Sequence, residues 1–141
     1  MVSAPLASTF VAFALIPVAV LFTHAYFAGR NGWPHHVLSG TVAVLWDMSL
    51  SIFYMLYRTF GGATDGNVLT LTPELTAYFA IHGIIAILVI ALEVIILVTG
   101  VLQWRRKTSL KWHGRVASPL YILWFLAFLS GELVYIAFYV L

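Results

Sequence analysis

The chain has 141 residues, of which 62% are hydrophobic and only 9% are charged, and its mean hydropathy is +1.00. A soluble domain of this size needs far more polar residues to cover its surface, so the composition indicates an integral membrane protein with a single transmembrane domain over residues 1–141. The pI near 9.1 does not indicate a nucleic-acid partner, because six of the seven cations lie in two short loops, as topology signals do. Cysteine is absent, which excludes disulfides and thiolate metal sites.

Four apolar segments are each long enough to form a helix that crosses a bilayer, whose hydrocarbon core needs about 20 helical residues. They cover residues 8–28, 36–57, 74–102 and 116–141. Two of the connections are short, and the third, near residues 58–71, is rich in glycine and polar residues. The sequence therefore predicts an all-α fold, an integral membrane four-helix bundle with up-down-up-down topology.

The third segment has a clear helix start and two ionisable residues in its apolar run. Residues 72–74, Thr-Pro-Glu, open it, since proline suits a first helical turn and the acid suits the positive end of the helix. The rest is apolar except for His82 and Glu93 until a basic stretch begins at residue 105. A charged side chain at the bilayer centre is costly, so both residues are candidates for a functional role.

The cations are distributed unequally between the two sides of the predicted bundle. Because basic loops stay in the cytoplasm, this distribution predicts a multi-pass protein of the cell membrane, surrounded by lipid, with both termini outside. The basic side carries Arg30, Arg105, Arg106, Lys107, Lys111 and Arg115, and the opposite side carries Arg58, Asp65 and Glu74.

Two acid–histidine pairs each lie on one helix face. His36 and Asp47 on the second segment, like His82 and Glu93 on the third, are three turns apart, or about 16 Å at a rise of ~1.5 Å per residue. The two helices run in opposite directions, so Asp47 and Glu93 should meet near the bilayer centre and share a proton or bind a cation. The alternative is that each acid hydrogen-bonds a separate serine, threonine or carbonyl group. Glu132 of the fourth segment should reach the depth of His82.

Three hypotheses compete for the histidines. In the first, they hydrogen-bond across helices or lie at the lipid headgroups, as His35 beside a proline would. In the second, two of them are axial ligands of haem b, and His24 with His36 or His113 could reach one depth. In the third, imidazoles and carboxylates bind copper, zinc or iron, and the sequence does not decide between the last two hypotheses. The candidate metal ligands are His36, His82, His113, Asp47, Glu93 and Glu132.

The second half of the chain resembles a known membrane family. The motifs are, in order, Tyr78, His82-Gly83, Ala86, Lys111-Trp112-His113-Gly114-Arg115, Pro119-Leu120-Tyr121, Gly131 and Val134-Tyr135. This order is similar to the domain of unknown function 420 family, the CtaM/YozB-type proteins needed for making active haem-copper cytochrome oxidase. The resemblance covers most of residues 22–139 and implies functional histidines at His36, His82 and His113. Asp47 and His24 are not part of the family pattern.

This resemblance implies a membrane accessory or assembly factor for a respiratory haem-copper oxidase, which holds metal or haem through these histidines and has the oxidase complex as its partner. A b-type cytochrome that transfers electrons in the membrane is one alternative, and a non-catalytic subunit of a respiratory complex is another. The sequence contains no nucleophile elbow, phosphate-binding glycine loop or His-Glu-x-x-His zinc motif. No catalytic residue is therefore assigned, and an enzymatic activity is not predicted.

Overall fold

The computed structural model describes residues 4–62, 70 and 72–140, and these residues form four helices and no strand. The helices are α1 (Leu6–Arg30), α2 (His36–Thr59), α3 (Pro73–Arg106) and α4 (Lys111–Tyr139). Each is long and apolar enough to cross a membrane. The predicted all-α fold, a four-helix bundle of membrane-spanning helices, is confirmed.

Local sequence signals explain where the helices begin and end. The Thr72 hydroxyl caps α3 by accepting a hydrogen bond from the Leu75 backbone N–H at 3.3 Å. Lys107 ends the same helix in the left-handed conformation, with φ of 51°. The turn after α1 uses Gly32, whose φ of 70° costs little without a Cβ.

Two boundaries differ from the sequence prediction in a way that matters for the site. Helix α4 begins at Lys111 and not at residue 116, so His113 lies inside its first turn. Helix α3 continues to Arg106, which leaves only residues 107–110 as the connection between the two helices. Asp65, which contributes to the predicted charge difference between the two sides, lies outside the described residues.

The helices pack in chain order around a square. Helix α1 lies closest to α2, and α3 lies closest to α4, as expected for two hairpins with short turns, while α2 and α3 make the loosest contact. We call the end with the α1–α2 and α3–α4 turns the basic end, and the opposite end the far end. Residues near the α1–α2 and α3–α4 turns therefore lie at the basic end. The starts of α1 and α3 and the last residues of α2 lie at the far end.

The best-packed core lies at mid-depth and toward the basic end. The Phe22 ring on α1 stacks on Trp124 of α4 with centroids 4.8 Å apart, and Trp124 is only 2% exposed. The large apolar side chains on the outer faces of the helices are exposed, as lipid-facing residues of a membrane bundle are. The buried core cluster contains Val18, Phe22, Ala43, Val44, Val89, Leu120 and Trp124.

Candidate functional sites

Two histidines of the α3–α4 hairpin each form a hydrogen bond with a hydroxyl on the facing helix. One of these histidines lies on α3 and the other lies on α4. The Nδ1 atom of His82 on α3 is 2.7 Å from the Ser130 hydroxyl on α4. The Nδ1 atom of His113 on α4 is 3.1 Å from the Thr99 hydroxyl on α3. The two pairs have the same register, because His82 and Ser130 lie equally far from residue 106, as do Thr99 and His113. Each helix thus supplies one imidazole and one hydroxyl.

A glycine follows each hydroxyl and gives the imidazole room. A Cβ atom at Gly131 would lie 3.4 Å from Cε1 of His82, and one at Gly100 would lie 3.2 Å from Cε1 of His113. These separations are at or below the lower limit of comfortable contact, so both rings pack directly against bare helix backbone. Each serine–glycine or threonine–glycine dipeptide therefore binds one histidine through its hydroxyl and packs against the ring through its glycine.

The other three histidines lie at the basic end of the α1–α2 hairpin. His24 Nδ1 is 2.9 Å from the Ser39 hydroxyl, and its exposed ring stacks on His35 with centroids 5.2 Å apart. His36 Nδ1 is 2.7 Å from the Trp33 carbonyl oxygen. His24, a predicted cofactor ligand, is thus held at the surface of the first hairpin by Ser39.

The hydroxyl partners determine which imidazole nitrogen carries the proton. Each hydroxyl also lies within hydrogen-bond distance of a carbonyl oxygen, and a hydroxyl that donates its single proton there accepts from the histidine, which puts the imidazole proton on Nδ1. The Trp33 carbonyl can only accept, so the same assignment holds for His36. The donors and acceptors are Ser39 to the His35 carbonyl (3.2 Å), Thr99 to Ile95 (2.7 Å) and Ser130 to Ala127 (2.9 Å).

The consequence concerns the second ring nitrogen, Nε2. In a neutral imidazole whose proton is on Nδ1, Nε2 carries a lone pair. Protein imidazoles that bind metals are generally oriented in this way, with the other nitrogen donating to a protein acceptor. Among the described residues, the hydrogen bonds of ordinary geometry made by the rings of His24, His36, His82 and His113 all involve Nδ1, and the Ile96 backbone carbonyl also lies near the His113 ring.

The structure places the predicted site residues at three different depths. His36 and His113 open α2 and α4 at the basic end and lie near enough for their charges to interact. Across the described ranges, no three histidine or acidic side chains are arranged to hold one metal ion. The predicted ligands therefore do not form a single cluster. They are His36 and His113 at the basic end, Asp47 and Glu93 at mid-depth, and His82 and Glu132 in the far half.

Asp47 and Glu93 meet inside the bundle, which confirms the prediction made from their spacing. Asp47 is 3% exposed and Glu93 is 0% exposed, and the two carboxyl groups face each other. The Ser51 hydroxyl approaches Asp47 at 3.5 Å, and the Trp124 indole approaches the same carboxyl. Neither oxygen of Glu93 has a hydrogen bond of ordinary geometry to any described residue. A fully buried carboxyl without a hydrogen bond of ordinary geometry is a costly feature that packing alone does not require.

A cavity of about 290 Å³ occupies the far half of the bundle. Its floor at mid-depth includes Asp47, Val89 and Trp124, and its wall extends toward Arg58 at the end of α2. His82 and Glu132 both line it, so the prediction that they reach a common depth is confirmed. The other polar lining groups are Ser8, Ser51, Tyr54, Tyr135 and Tyr139.

Hydroxyl–hydroxyl bonds connect α1 to its neighbours around this cavity. Ser8 and Tyr54 bridge α1 and α2 at 2.9 Å, and the Tyr135 hydroxyl donates to Thr9 at 3.1 Å between α4 and α1. The loosely packed α2–α3 side has no comparable bridge among the described residues. The cavity is thus closed on the α1 side and least closed between α2 and α3.

Sequence reasoning identified the histidines and acids but not their partners. Thr99, Ser130 and Ser39 were unremarkable as isolated polar residues in apolar segments. A usable signal was present: in an antiparallel hairpin, a histidine and a serine–glycine or threonine–glycine dipeptide that are equally distant from the turn lie at the same depth. Trp124, which approaches Asp47 from the helix diagonally opposite, has no such signal.

Comparisons with known proteins do not place the chain in a family. No protein-family model, curated protein or solved structure matches it. The resemblance to the domain of unknown function 420 family therefore stays a prediction based on short motifs.

Proposed function

We propose that this protein is a membrane accessory or assembly factor for a respiratory haem-copper oxidase, and that it holds a metal ion or haem at the basic end through His36 and His113. The observation that carries the proposal is the pairing of these residues. They lie at the same end of the bundle, near enough for their charges to interact, and each makes its hydrogen bond through Nδ1, which leaves Nε2 for a ligand. Both also occupy positions that the family resemblance implies to be functional.

A pair of imidazoles suits an accessory role. Copper, zinc and iron all accept imidazole, but two ligands leave coordination positions open, which a partner protein can fill when the metal is passed on. Two imidazoles are also the axial ligand set of a b-type haem, so haem binding at the same pair remains within the proposal. His82 lies in the far half and is not part of this site.

The experiment for the site measures bound cofactor in purified protein. We expect copper, zinc or iron, or a haem Soret band, in the wild type, and loss of most of it in His36→Ala and in His113→Ala. His82→Ala is the matched control, because it removes an imidazole held by the same kind of hydroxyl but at the other end. Wild-type occupancy in both basic-end variants, or no cofactor in any preparation, would contradict the site.

The experiment for the pathway uses cells that lack the protein. We expect reduced haem-copper oxidase activity, restored by the wild-type chain and not by a His36→Ala, His113→Ala double variant that reaches the membrane at normal levels. Full oxidase activity without the protein would reject the accessory role, and a bound haem would then favour an electron-transferring cytochrome.

The orientation of the bundle belongs to the same proposal. The excess of cations at the basic end supports a cytoplasmic location for that end and an outside location for both termini. Since the chain has no cysteine, Thr108→Cys and Thr70→Cys provide one reporter at each end. We expect an impermeant thiol reagent added to intact cells to label Thr70→Cys and not Thr108→Cys. The reverse pattern would invert the topology.

A further inference from the structure

The buried acid pair has a structural context that the proposed site at the basic end does not use. Asp47 lines the floor of the far-half cavity, and Glu93 lies directly behind it, fully buried and without a hydrogen-bond partner of ordinary geometry among the described residues. Two adjacent carboxylates in an apolar interior repel each other and have lost their hydration. A proton held between the two groups removes both penalties.

The cavity offers a route for that proton from one side. Its volume of about 290 Å³ is room for roughly ten water molecules, and polar groups line it from mid-depth to the far end. Ser51 and Tyr54 follow Asp47 along α2 and lead to Arg58. On the facing helices the titratable groups are His82 of α3 and Glu132, Tyr135 and Tyr139 of α4, and α1 contributes Ser8.

The opposite side of the acid pair is closed by apolar packing. Phe22 of α1, which lies nearer to the basic end than Asp47, stacks on Trp124 with ring centroids 4.8 Å apart. Val44, less than one turn from Asp47 toward the basic end, is 3% exposed, and Leu120 on α4 is also 3% exposed. A dry, close-packed layer of this kind leaves no space for a water chain toward the basic end.

We propose that Asp47 and Glu93 form one proton-binding site that exchanges with water only at the far end of the bundle, through the cavity. A proton from a cavity water adds to a carboxylate oxygen of Asp47, is shared with Glu93, and leaves by the same route. The site is independent of the metal or haem site at the basic end, so either can fail without the other.

Single-cysteine accessibility tests the route. Ser51→Cys places a thiol in the cavity one turn from Asp47, and Ser49→Cys places one at nearly the same depth on the exposed outer face of α2. The measurement uses protein in lipid vesicles and a membrane-impermeant, positively charged thiosulfonate, with Thr108→Cys as the reporter that identifies the basic end. We expect labelling of Ser51→Cys from the far side only, and no labelling of Ser49→Cys from either side.

Each other result overturns the proposal. Labelling of Ser51→Cys from the basic side would mean that the apolar layer does not separate the two ends. An unreactive Ser51→Cys, equal to Ser49→Cys, would mean that lipid or side chains and not water fill the cavity.

A carbodiimide tests the proton itself, since it adds to protonated carboxyl groups in apolar surroundings. We expect a dicyclohexylcarbodiimide adduct on Asp47 or Glu93, detected by mass spectrometry of peptides, and its loss in the folded Asp47→Asn, Glu93→Gln double variant. Glu132→Gln, which alters a cavity wall but not the pair, should keep the adduct. No adduct on either acid in the wild type, or modification confined to Glu132, would overturn the shared proton.

Discussion

The basic half and the far half of this bundle each contain a histidine that is held by the same kind of hydrogen bond, but the surroundings of the two histidines differ. In both halves an imidazole is held through Nδ1 by a hydroxyl that precedes a glycine on the facing helix. At the basic end, His113 lies near enough to another histidine, His36, for their charges to interact. In the far half, His82 lines a polar cavity together with Glu132.

The comparison shows that anchoring and function are separate properties of an intramembrane histidine. The hydrogen bond orients the ring and determines its tautomer in either place, but the groups around the free nitrogen determine what it can do. In the proposals above, a second imidazole makes His113 part of a ligand pair, and a water-filled cavity would let His82 accept or donate a proton. The mid-depth layer that contains Trp124 keeps these two environments apart.

Removing Trp124 should have the largest effect on this separation. Trp124 is 2% exposed and stacks on both Phe22 and Phe128, so Trp124→Ala should lower the free energy of unfolding by about 3–5 kcal/mol. Denaturant titration in micelles, followed by circular dichroism, measures this change. In the protein that remains folded, a thiol at Ser51→Cys should become reactive from the basic side as well.

Trp104→Ala is the control for this experiment. Trp104 is 74% exposed at the basic end, and its removal should change the stability by no more than about 0.5 kcal/mol. If the two tryptophan variants were equally stable, the aromatic layer would not be the barrier between the halves.

Replacing Glu93 by leucine should have a smaller effect of opposite sign. Glu93→Leu removes a fully buried carboxyl whose oxygens lack an ordinary hydrogen bond to the described residues and loses only its interaction with Asp47, so we expect stability to rise by about 1–3 kcal/mol. Asp47→Leu should gain less, since it also deprives Ser51 and Trp124 of an acceptor.

The same unfolding titration compares these two acid variants with the wild type. A marked destabilisation by Glu93→Leu would mean that the interaction of Glu93 with Asp47, or with a bound ion or water, outweighs the cost of burying its carboxyl group. In either case the carbodiimide adduct at Glu93 must disappear.

The fold was predictable because its determinants are local and periodic. Apolar length alone defined four spans, and the Thr-Pro-Glu sequence at residues 72–74 correctly marked the start of α3. The inward position of Asp47 and Glu93 was also predictable, because their spacing from His36 and His82 places them at one depth in antiparallel helices. Both carboxyls are buried and face each other.

The partners of these residues were not predictable by the same means. Whether His24 joins His36 and His113 depends on rotations of α1 that the near-uniform apolar pattern does not specify, and the structure pairs His24 with Ser39 and His35. The cavity arises from loose packing between α2 and α3. Hydrophobic periodicity does not predict which pair of helices packs loosely.

The smallest expected effect provides the closest comparison of the two halves. Thr99→Val and Ser130→Ala each remove one hydroxyl that holds a histidine, at the basic end and in the far half respectively. Interhelical hydrogen bonds in membranes contribute about 0.6 kcal/mol on average, so both variants should lose a similar, small amount of stability. Their effects on the proposed site at the basic end should differ.

Without Thr99 the His113 ring is free to rotate and to change tautomer, and loss of such a supporting bond typically weakens metal binding about 10–100-fold. Thr99→Val should therefore weaken binding at the His36–His113 pair, as measured by competition with a chelator or by haem titration, whereas Ser130→Ala should leave it unchanged. Thr99→Ser keeps the hydroxyl and should restore wild-type affinity, which separates the role of the hydrogen bond from that of packing. Equal affinities in Thr99→Val and Ser130→Ala, with His113→Ala still unable to bind, would mean that His113 is a ligand whose orientation does not depend on Thr99.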